Sequence, residues 1–115
     1  MTVTIYHNPR CSKSRQTLEI LKGQNIDVEI IEYLKTSPDA ETLKQILTYL
    51  KIPARELLRK GESAYKEAGL DDTNLSEDEL IAAMVEHPIL IERPVVVNNG
   101  KATIGRPPES VLDIL

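Results

Sequence analysis

The sequence has little of what secreted and membrane proteins need. It contains a single cysteine, Cys11, so an internal disulfide is impossible, and a free thiol survives best in a reducing compartment. The N-terminus has no basic segment followed by an apolar stretch, and no apolar run approaches the roughly 20 residues that span a bilayer. We therefore expect a cytoplasmic protein without a membrane segment.

Charge and length set two further limits. The 115 residues carry a formal net charge of -4, whereas nucleic acids and anionic membranes select basic surfaces. We therefore expect no nucleic-acid or membrane partner, and any anion site must be local. A chain of this length with 41% hydrophobic residues has the size of one globular domain, so we predict a single domain over residues 1–115.

The first third of the chain predicts a strand, a helix and a second strand. Residues 3–6 are β-branched or aromatic, and the His-Asn-Pro-Arg segment at 7–10 follows them as a loop. Residues 12–22 favour a helix that begins just after Cys11 and stops at Gly23. Residues 28–34 are strand-like again. The short connections imply a parallel strand pair joined by a right-handed crossover helix.

The middle of the chain predicts a series of helices. Apolar residues at i, i+3, i+4 and i+7 indicate one helix, with Ser37 as its N-cap. These apolar positions are Leu43, Ile46, Leu47 and Leu50. Pro53 should open a short helix, and Ser76 with Glu79 has the pattern of a capping box before another helix. We interpret residues from about 37 to 88 as a helical insertion.

The last third predicts a hairpin and a terminal helix. Residues 94–97 and 102–104 are strand-like, and Asn99-Gly100 between them favours a type I′ turn. The Pro-Pro pair at 107–108 then starts a last helix. Together these elements predict an α/β fold, a mixed four-stranded sheet with flanking helices and a central helical insertion. Ligands of such folds favour loops at the carboxyl ends of strands, and Cys11 lies at such an end.

Cys11 is the candidate nucleophile. A helix N-terminus and the neighbouring cations Arg10, Lys13 and Arg15 should stabilise its thiolate and lower its pKa. The alternative is that Cys11 is an inert buried residue beside a solvated basic face. The polar and charged residues on both sides of Cys11 have no apolar pattern, which predicts a position near solvent.

Several other kinds of site do not fit the spacing. A tyrosine-phosphatase loop has five residues between its cysteine and its arginine, whereas Arg15 is only four positions on from Cys11. His7 and His87 are too few and too far apart to complete a zinc site with one cysteine, so we expect no metal. The sequence also has no Walker or dinucleotide glycine pattern.

Ser14 stands where a Cys-x-x-Cys motif has its second cysteine. Cys11 therefore has the pattern of a monothiol redox site, whose resolving thiol must come from another molecule. Two roles for the Ser14 hydroxyl are open. It either donates a hydrogen bond to the Cys11 thiolate or serves as an ordinary capping group in the first helical turn.

Several separated motifs are similar to those of one family. They are Ile5-Tyr6-His7-Asn8-Pro9, Ser14-Arg15, Leu57-Leu58-Arg59-Lys60, His87-Pro88-Ile89-Leu90-Ile91-Glu92-Arg93-Pro94 and Gly105-Arg106-Pro107. Together with Cys11 they resemble the glutaredoxin-linked arsenate reductase (ArsC) family over essentially the whole chain. The resemblance implies a thioredoxin-like fold in which Arg59, Arg93 and Arg106 surround Cys11 as an oxyanion site. Arginine suits this role because its planar fork pairs with two oxygens and keeps its charge.

The resemblance also assigns supporting residues. It implies a cis bond before Pro94 beside the reactive cysteine, and support of the cysteine loop by Ser14 and Arg15. For His7 two interpretations are open. The resemblance makes it a support that tunes the thiol, whereas the residues alone favour a loop histidine that is hydrogen-bonded to backbone.

The function implied by the resemblance is that of an oxidoreductase. Such an enzyme reduces arsenate to arsenite with glutathione as co-substrate and glutaredoxin as partner, without a bound cofactor, and we expect a monomer. A glutaredoxin-like thiol transferase is one alternative, because the Cys11 motif would suffice for it. A non-enzymatic Spx-type regulator that binds RNA polymerase is another, although such regulators typically carry Cys-x-x-Cys where this chain has Ser14.

Overall fold

The structure, a computed structural model, describes residues 2–115. Contacts between residues divide the chain into two compact units. The sheet unit combines the segment up to Thr36 with Arg93–Leu115, and the helical unit is Ser37–Glu92. The assignment of residues 1–115 to a single domain stays a prediction.

The sheet unit is built on four strands and one long helix. Strand β1 (Thr2–Tyr6) pairs in parallel with β2 (Asp27–Ile31) and antiparallel with β3 (Val95–Asn98), and β3 pairs antiparallel with β4 (Lys101–Ile104). The strand order is β2-β1-β3-β4. Helix α1 (Ser12–Lys22) connects the parallel pair. The mixed four-stranded sheet predicted from the sequence is confirmed.

The core of the sheet unit fixes the strand that precedes Cys11. Val3 and Ile5 are fully buried because successive side chains of a strand point to opposite faces of the sheet. They cluster with Leu21 of α1, Val96 of β3 and Val111 of the last helical segment. Burying a side chain of this size contributes about 1.5–3 kcal/mol. The cluster therefore anchors β1 and, with it, the start of the cysteine loop.

The β3–β4 hairpin brings its two flanking segments together. Asn99 and Gly100 join the strands with φ angles of 49° and 79°. Two successive positive φ angles are what a type I′ turn requires, and asparagine and glycine tolerate them best. The predicted turn is confirmed. Beyond the strands, the Gly105 N–H donates to the Pro94 carbonyl at 2.9 Å, which holds the segments before β3 and after β4 side by side.

Two elements of the sheet unit differ from their predicted form. Strand β2 ends at Ile31, and not near residue 34, because the Glu32 carbonyl accepts from the N–H groups of Lys35 and Thr36 and turns the chain. The last segment, Pro108–Ile114, is a 3-10 helix and not an α-helix. It nevertheless buries Val111 as a terminal helix should.

The helical unit contains four α-helices and a short 3-10 helix. They are α2 (Ala40–Leu50), α3 (Ala54–Leu57), α4 (Ser63–Glu67), α5 (Glu77–Glu86) and the 3-10 helix Pro88–Leu90. The capping box is confirmed, since Ser76 Oγ accepts from the Glu79 N–H at 3.2 Å and Glu79 Oε1 accepts from the Ser76 N–H at 3.3 Å. Helix α4 was not predicted, because five residues with one buried side chain, Tyr65, have too little periodicity.

The predicted N-cap of α2 is wrong. Asp39 caps the helix, and its carboxylate accepts from the Thr42 N–H at 2.8 Å. Ser37 lies two residues further out, and its hydroxyl donates to the Val85 carbonyl at 2.8 Å. Both residue types are good caps, but the carboxylate also carries the negative charge that a helix N-terminus favours. Pro53 likewise precedes α3 as its N-cap and is not its first helical residue.

Within residues 2–115, no helix combines the length and the apolar character needed to cross a membrane.

Candidate active site

Cys11 is the N-cap residue of α1, directly after the loop that follows β1. Its backbone is extended, with φ -97° and ψ 123°. The Cys11 N–H donates to the Asn8 carbonyl at 3.0 Å, and the Cys11 carbonyl accepts from the Arg15 N–H at 3.0 Å. These bonds fix the sulfur at the first turn of α1.

The prediction that Cys11 lies near solvent is wrong. Its residue exposure is 9%, whereas Ser12, Lys13 and Arg15 are exposed. The polar residues next to Cys11 in sequence have exposed side chains. The Cys11 thiol instead faces two arginines of the sheet unit. The groups that face Cys11 are nevertheless cationic or are N–H donors, which is the environment of a thiol with a lowered pKa.

The pKa of the Cys11 thiol is lowered by the groups around it. Burial raises this pKa, but the backbone N–H of Ser14, the hydrogen bond and the charge of Arg93, and the backbone N–H of Lys13 together lower it by more. The thiolate is therefore favoured at lower pH than in an ordinary cysteine. The predicted direction is right, although its source differs from the prediction. The cation responsible is Arg93, which is distant in sequence.

The flanking cations of the sequence motif have other positions. The Arg15 guanidinium donates through Nη1 to the Pro9 carbonyl at 3.0 Å, so it braces the cysteine loop. The Arg10 N–H donates to the Asn8 side chain at 3.0 Å, and the Arg10 side chain is exposed. The cations beside Cys11 in sequence thus shape the loop or face solvent.

Arg106 is the second guanidinium at the sulfur. Its Nη2 lies 3.8 Å from Cys11 Sγ, and its Nε donates to the Arg93 carbonyl at 2.9 Å. Arg93 and Arg106 lie just outside the two strands of the hairpin, which explains how residues 13 positions apart in sequence reach one sulfur. The Arg93–Pro94 bond is cis, as the resemblance implied.

Gly105 and Thr17 lie close together beside this arrangement, and no local sequence pattern pairs them. A Cβ atom on Gly105 would lie 2.5 Å from Thr17 Oγ1 and 2.9 Å from Pro94 Cγ. Thr17 is fully buried in α1, and its hydroxyl donates to the Lys13 carbonyl at 2.8 Å. Only a glycine allows the segment before Arg106 to approach α1 so closely.

His7 and Ser14 form a buried pair behind the cysteine loop. His7 Nδ1 lies 2.6 Å from Ser14 Oγ, and that hydroxyl oxygen also accepts from the Asn8 N–H at 3.0 Å. The His7 ring therefore bonds to a side chain, in contrast to the backbone bond favoured from the residues alone. The Ser14 hydroxyl bonds to the loop, while it is the Ser14 N–H that acts on the Cys11 sulfur.

Burial favours the neutral form of the His7 ring. It is the main cause of a lowered His7 pKa, opposed by the charge of Glu32 and assisted by Lys22 and Arg15. A neutral ring suits a packed position in which Nδ1 is hydrogen-bonded to a hydroxyl. His7 thus supports the loop that carries Cys11.

Arg59 belongs to the helical unit. Its N–H donates to the Leu90 carbonyl at 2.7 Å, beside the bridge that pairs Leu58 with Ile91. Its Nη1 lies 3.3 Å from Glu62 Oε1, and its Nε lies 3.7 Å from Glu92 Oε1. The participation of Arg59 in a site with Cys11 stays a prediction.

The arrangement at Cys11 unites a nucleophile with donors for an anion. The thiolate is the reactive form of cysteine, and the two guanidinium groups at the sulfur are suited to a tetrahedral oxyanion. Among the described residues, no group of three or more His, Cys, Asp or Glu side chains could hold a metal ion.

The fold and the cysteine define a class of protein. A crossover helix begins at a cysteine after the first strand, and a cis-proline precedes the antiparallel hairpin. This is a thioredoxin-like protein with a helical unit between its second and third strands. The ArsC family profile matches residues 6–114, and the chain belongs to the ArsC family.

Individual relatives agree with this assignment. The chain is 57% identical to the Escherichia coli K12 protein "Uncharacterized protein YfgD" over 98% of this chain and 96% of that one. It is 46% identical to a Neisseria meningitidis serogroup A protein named "Arsenate reductase", over 98% and 97% of the two chains. The structure of "Arsenate reductase from Vibrio cholerae" superposes with a TM-score of 0.97 at 55% identity, over 100% and 98% of the chains.

Proposed function

We propose that this protein is an arsenate reductase that uses glutathione and glutaredoxin and forms its covalent intermediates on Cys11. The observation that carries the proposal is the Cys11 sulfur, whose pKa is lowered and which lies 3.8 Å from Arg106 Nη2 with Arg93 hydrogen-bonded to it. The names of its relatives support the same substrate, since proteins of Neisseria meningitidis and Haemophilus influenzae that are 46% and 47% identical are called arsenate reductases.

The first step is attack of the Cys11 thiolate on arsenic. A sulfur–arsenic bond forms, and one arsenate oxygen leaves as water after it takes up protons. Arg93 first favours the thiolate, and Arg93 and Arg106 then bind the remaining oxygens, so that two negative charges can meet at short distance. By resemblance to the family, Arg59 is the third oxyanion ligand.

The next steps require two further thiols, because Cys11 is the only cysteine of the chain. Glutathione forms a bond to arsenic through its sulfur, and a second oxygen leaves as water. The glutaredoxin thiolate then attacks the glutathione sulfur and forms a mixed disulfide with it. The electron pair of the broken sulfur–arsenic bond stays on arsenic, which is thereby reduced from the pentavalent to the trivalent state. Water finally displaces the Cys11 thiolate, and arsenite leaves.

The buried residues behind Cys11 have a positioning role in this reaction. The His7–Ser14 pair and the Gly105–Thr17 contact fix the two ends of the site, namely the loop before α1 and the segment before Arg106. A thiolate and two guanidinium groups that are held in place need little rearrangement when the oxyanion binds. The reaction also needs reduced thiol donors, so we propose the cytoplasm as its place.

The test is arsenate-dependent NADPH consumption in an assay coupled to glutathione, glutaredoxin and glutathione reductase. We expect turnover by the wild type and its loss, by at least about 10³-fold, in Cys11→Ser, which keeps the size of the side chain but removes the nucleophile. Ser12→Ala, an exposed neighbour, is the matched control and should retain turnover. Disulfide reduction without arsenate-dependent turnover in the wild type would instead support a general thiol transferase.

A further inference from the structure

Arg59, an arginine of the proposed oxyanion site, has carboxylate neighbours on two sides. Glu62 Oε1 lies 3.3 Å from its Nη1, and Glu92 Oε1 lies 3.7 Å from its Nε. The three side chains are only partly exposed, at 23% for Arg59 and 27% for each glutamate. Water therefore screens these charges less than it would on an open surface.

The positions of the carboxylates matter because of the shape of the guanidinium group. Paired hydrogen bonds to one oxyanion are made along one of two edges, either Nε with Nη2 or Nη1 with Nη2. In Arg59, Nε faces Glu92 and Nη1 faces Glu62, so each edge has one nitrogen beside a carboxylate. An oxyanion that takes either edge has to compete with one glutamate.

The contact with Glu62 is an ion pair without a good hydrogen bond. Arg59 Nη1 is buried, and no hydrogen-bond partner meets its geometry even though Glu62 Oε1 is within 3.3 Å. A buried N–H that lacks a well-aligned acceptor is costly, and an oxyanion oxygen could satisfy it. Arg59 Nη1 is thus attracted to Glu62 by charge, and its N–H can still donate to a better-aligned acceptor.

The backbone keeps the three side chains together. The Arg59 carbonyl accepts from the Glu62 N–H at 3.3 Å, and the Glu92 N–H donates to the Leu57 carbonyl at 2.8 Å. The Arg59 N–H itself donates to Leu90 at 2.7 Å. The backbone segments that carry Arg59, Glu62 and Glu92 are therefore held together by main-chain bonds, which keeps both carboxylates within reach of Arg59.

We propose that Glu62, with Glu92 as the weaker partner, lowers the affinity of the site for oxyanions by competing for Arg59. The two carboxylates offset the positive charge of Arg59, which weakens its attraction for a dianion. The effect applies to any tetrahedral oxyanion that Arg59 binds, so phosphate affinity is lowered together with arsenate affinity. Glu62 thus tunes the affinity of the site for oxyanions without discriminating between arsenate and phosphate.

This inference rests on the proposed function, because it takes Arg59 as an oxyanion ligand. The test uses binding and does not depend on turnover. Iodoacetamide alkylates the single cysteine, and a bound oxyanion should protect it. The concentration of arsenate, or of inorganic phosphate, that halves the alkylation rate then reports the oxyanion affinity. Mass spectrometry of the intact chain follows the reaction without interference from other thiols.

We expect the half-protecting concentrations of arsenate and phosphate to fall about two- to fivefold in Glu62→Gln, the range that partly exposed ion pairs support, and to fall less in Glu92→Gln. Asp78→Asn is the matched control. It removes a carboxylate from another ion pair of the helical unit, at 3.6 Å from Lys44 Nζ, and makes the same change in net charge. It should leave protection unchanged.

The outcomes separate the two proposals. In an Arg59→Ala background the effect of Glu62→Gln should vanish, since the residue for which the glutamate competes is gone. If the wild type is protected and Glu62→Gln has the same half-protecting concentration, the competition is refuted while the oxyanion site stands. If neither oxyanion protects wild-type Cys11, the proposed function falls, and this inference falls with it.

Discussion

The N-termini of α1 and α5 follow the same physical rules and use them in opposite ways. In helix α5, side chains of the first turn bond to its free N–H groups, because Ser76 and Glu79 form a capping box. Glu77, Asp78 and Glu79 also place negative charge at this helix end. Helix α1 has Cys11 at the same position, and its described first turn contains no acidic residue. The N–H groups of α1 that acidic side chains would attract instead favour a thiolate.

This difference separates a helix end built for stability from one built for a reactive group. A carboxylate in the first turn of α1 would stabilise the helix by about 0.3–1 kcal/mol, but it would also repel a thiolate and any oxyanion beside it. The cations and N–H groups around Cys11 instead stabilise negative charge, as an anion site requires. Functional sites are expected to depart from local preferences, and the absence of acidic residues from the described first turn of α1 is such a departure.

The largest effect is expected where the site depends on close packing. Gly105→Ala would place a Cβ atom 2.5 Å from Thr17 Oγ1, and because that oxygen is bonded to the Lys13 carbonyl, α1 has to shift. We expect a loss of about 1–3 kcal/mol in the free energy of unfolding, measured with urea, together with a clear loss of arsenate-dependent turnover.

Gly61→Ala is the matched control in the helical unit. A Cβ atom on Gly61 would meet nothing within 4 Å, so this variant should keep both the stability and the turnover of the wild type. If Gly105→Ala behaves like Gly61→Ala, the segment before Arg106 does not need its close approach to α1.

A smaller effect is expected when the two helix N-caps are changed in turn. Ser76→Ala removes the capping oxygen of α5 and should lower the free energy of unfolding by about 1 kcal/mol without changing the alkylation rate of Cys11. Cys11→Ser gives α1 a good capping residue, so it should unfold at no lower urea concentration than the wild type although it has lost turnover. A Cys11→Ser variant that is much less stable than the wild type would contradict the contrast between the two helix ends.

The smallest effect is expected from the titration of His7. Its folded-state pKa is lowered by burial, so the unfolded chain binds a proton more readily than the folded one as the pH falls. The contribution of neutral His7 to the free energy of unfolding is fully present above its pKa in the unfolded chain, about 6.5. It is lost as the pH falls through the folded-state pKa. We expect urea unfolding between pH 7.5 and 5 to show this loss, and His7→Asn, which does not titrate, to reduce it. An unchanged pH dependence in His7→Asn would mean that another group is responsible.

Local rules allowed part of the fold to be predicted from the sequence. The Asn99-Gly100 turn and the capping box at Ser76 depend on residues within four positions of each other, and both are observed. The strand-helix-strand start follows from periodicity and short connections. The Ser37 cap failed because Asp39, two residues on, competes for the same role and because the Ser37 hydroxyl bonds to Val85, which is 48 positions away.

The candidate site was harder to derive, because its contacts are distant in sequence. Cys11 was found from its position at a helix start, whereas Arg93 and Arg106 were assigned by the family resemblance and would otherwise have been ordinary loop charges. The cations next to Cys11 misled the prediction, since Arg93 is the one that acts on the thiol. Thr17 and Glu62 had no signal in the sequence, and the family motif that contains Glu92 did not indicate its pairing with Arg59, because burial and pairing depend on the fold.

The pKa of Cys11 tests the central claim most directly. It can be measured from the pH dependence of Cys11 alkylation by iodoacetamide, in the wild type and in Arg93→Met, which keeps an unbranched apolar stem but removes the charge and the donors. We expect the wild-type pKa to lie below that of an ordinary cysteine and to rise in Arg93→Met. A wild-type pKa at or above the ordinary value, or one that Arg93→Met leaves unchanged, would contradict the assignment of Cys11 as a thiolate nucleophile held by Arg93.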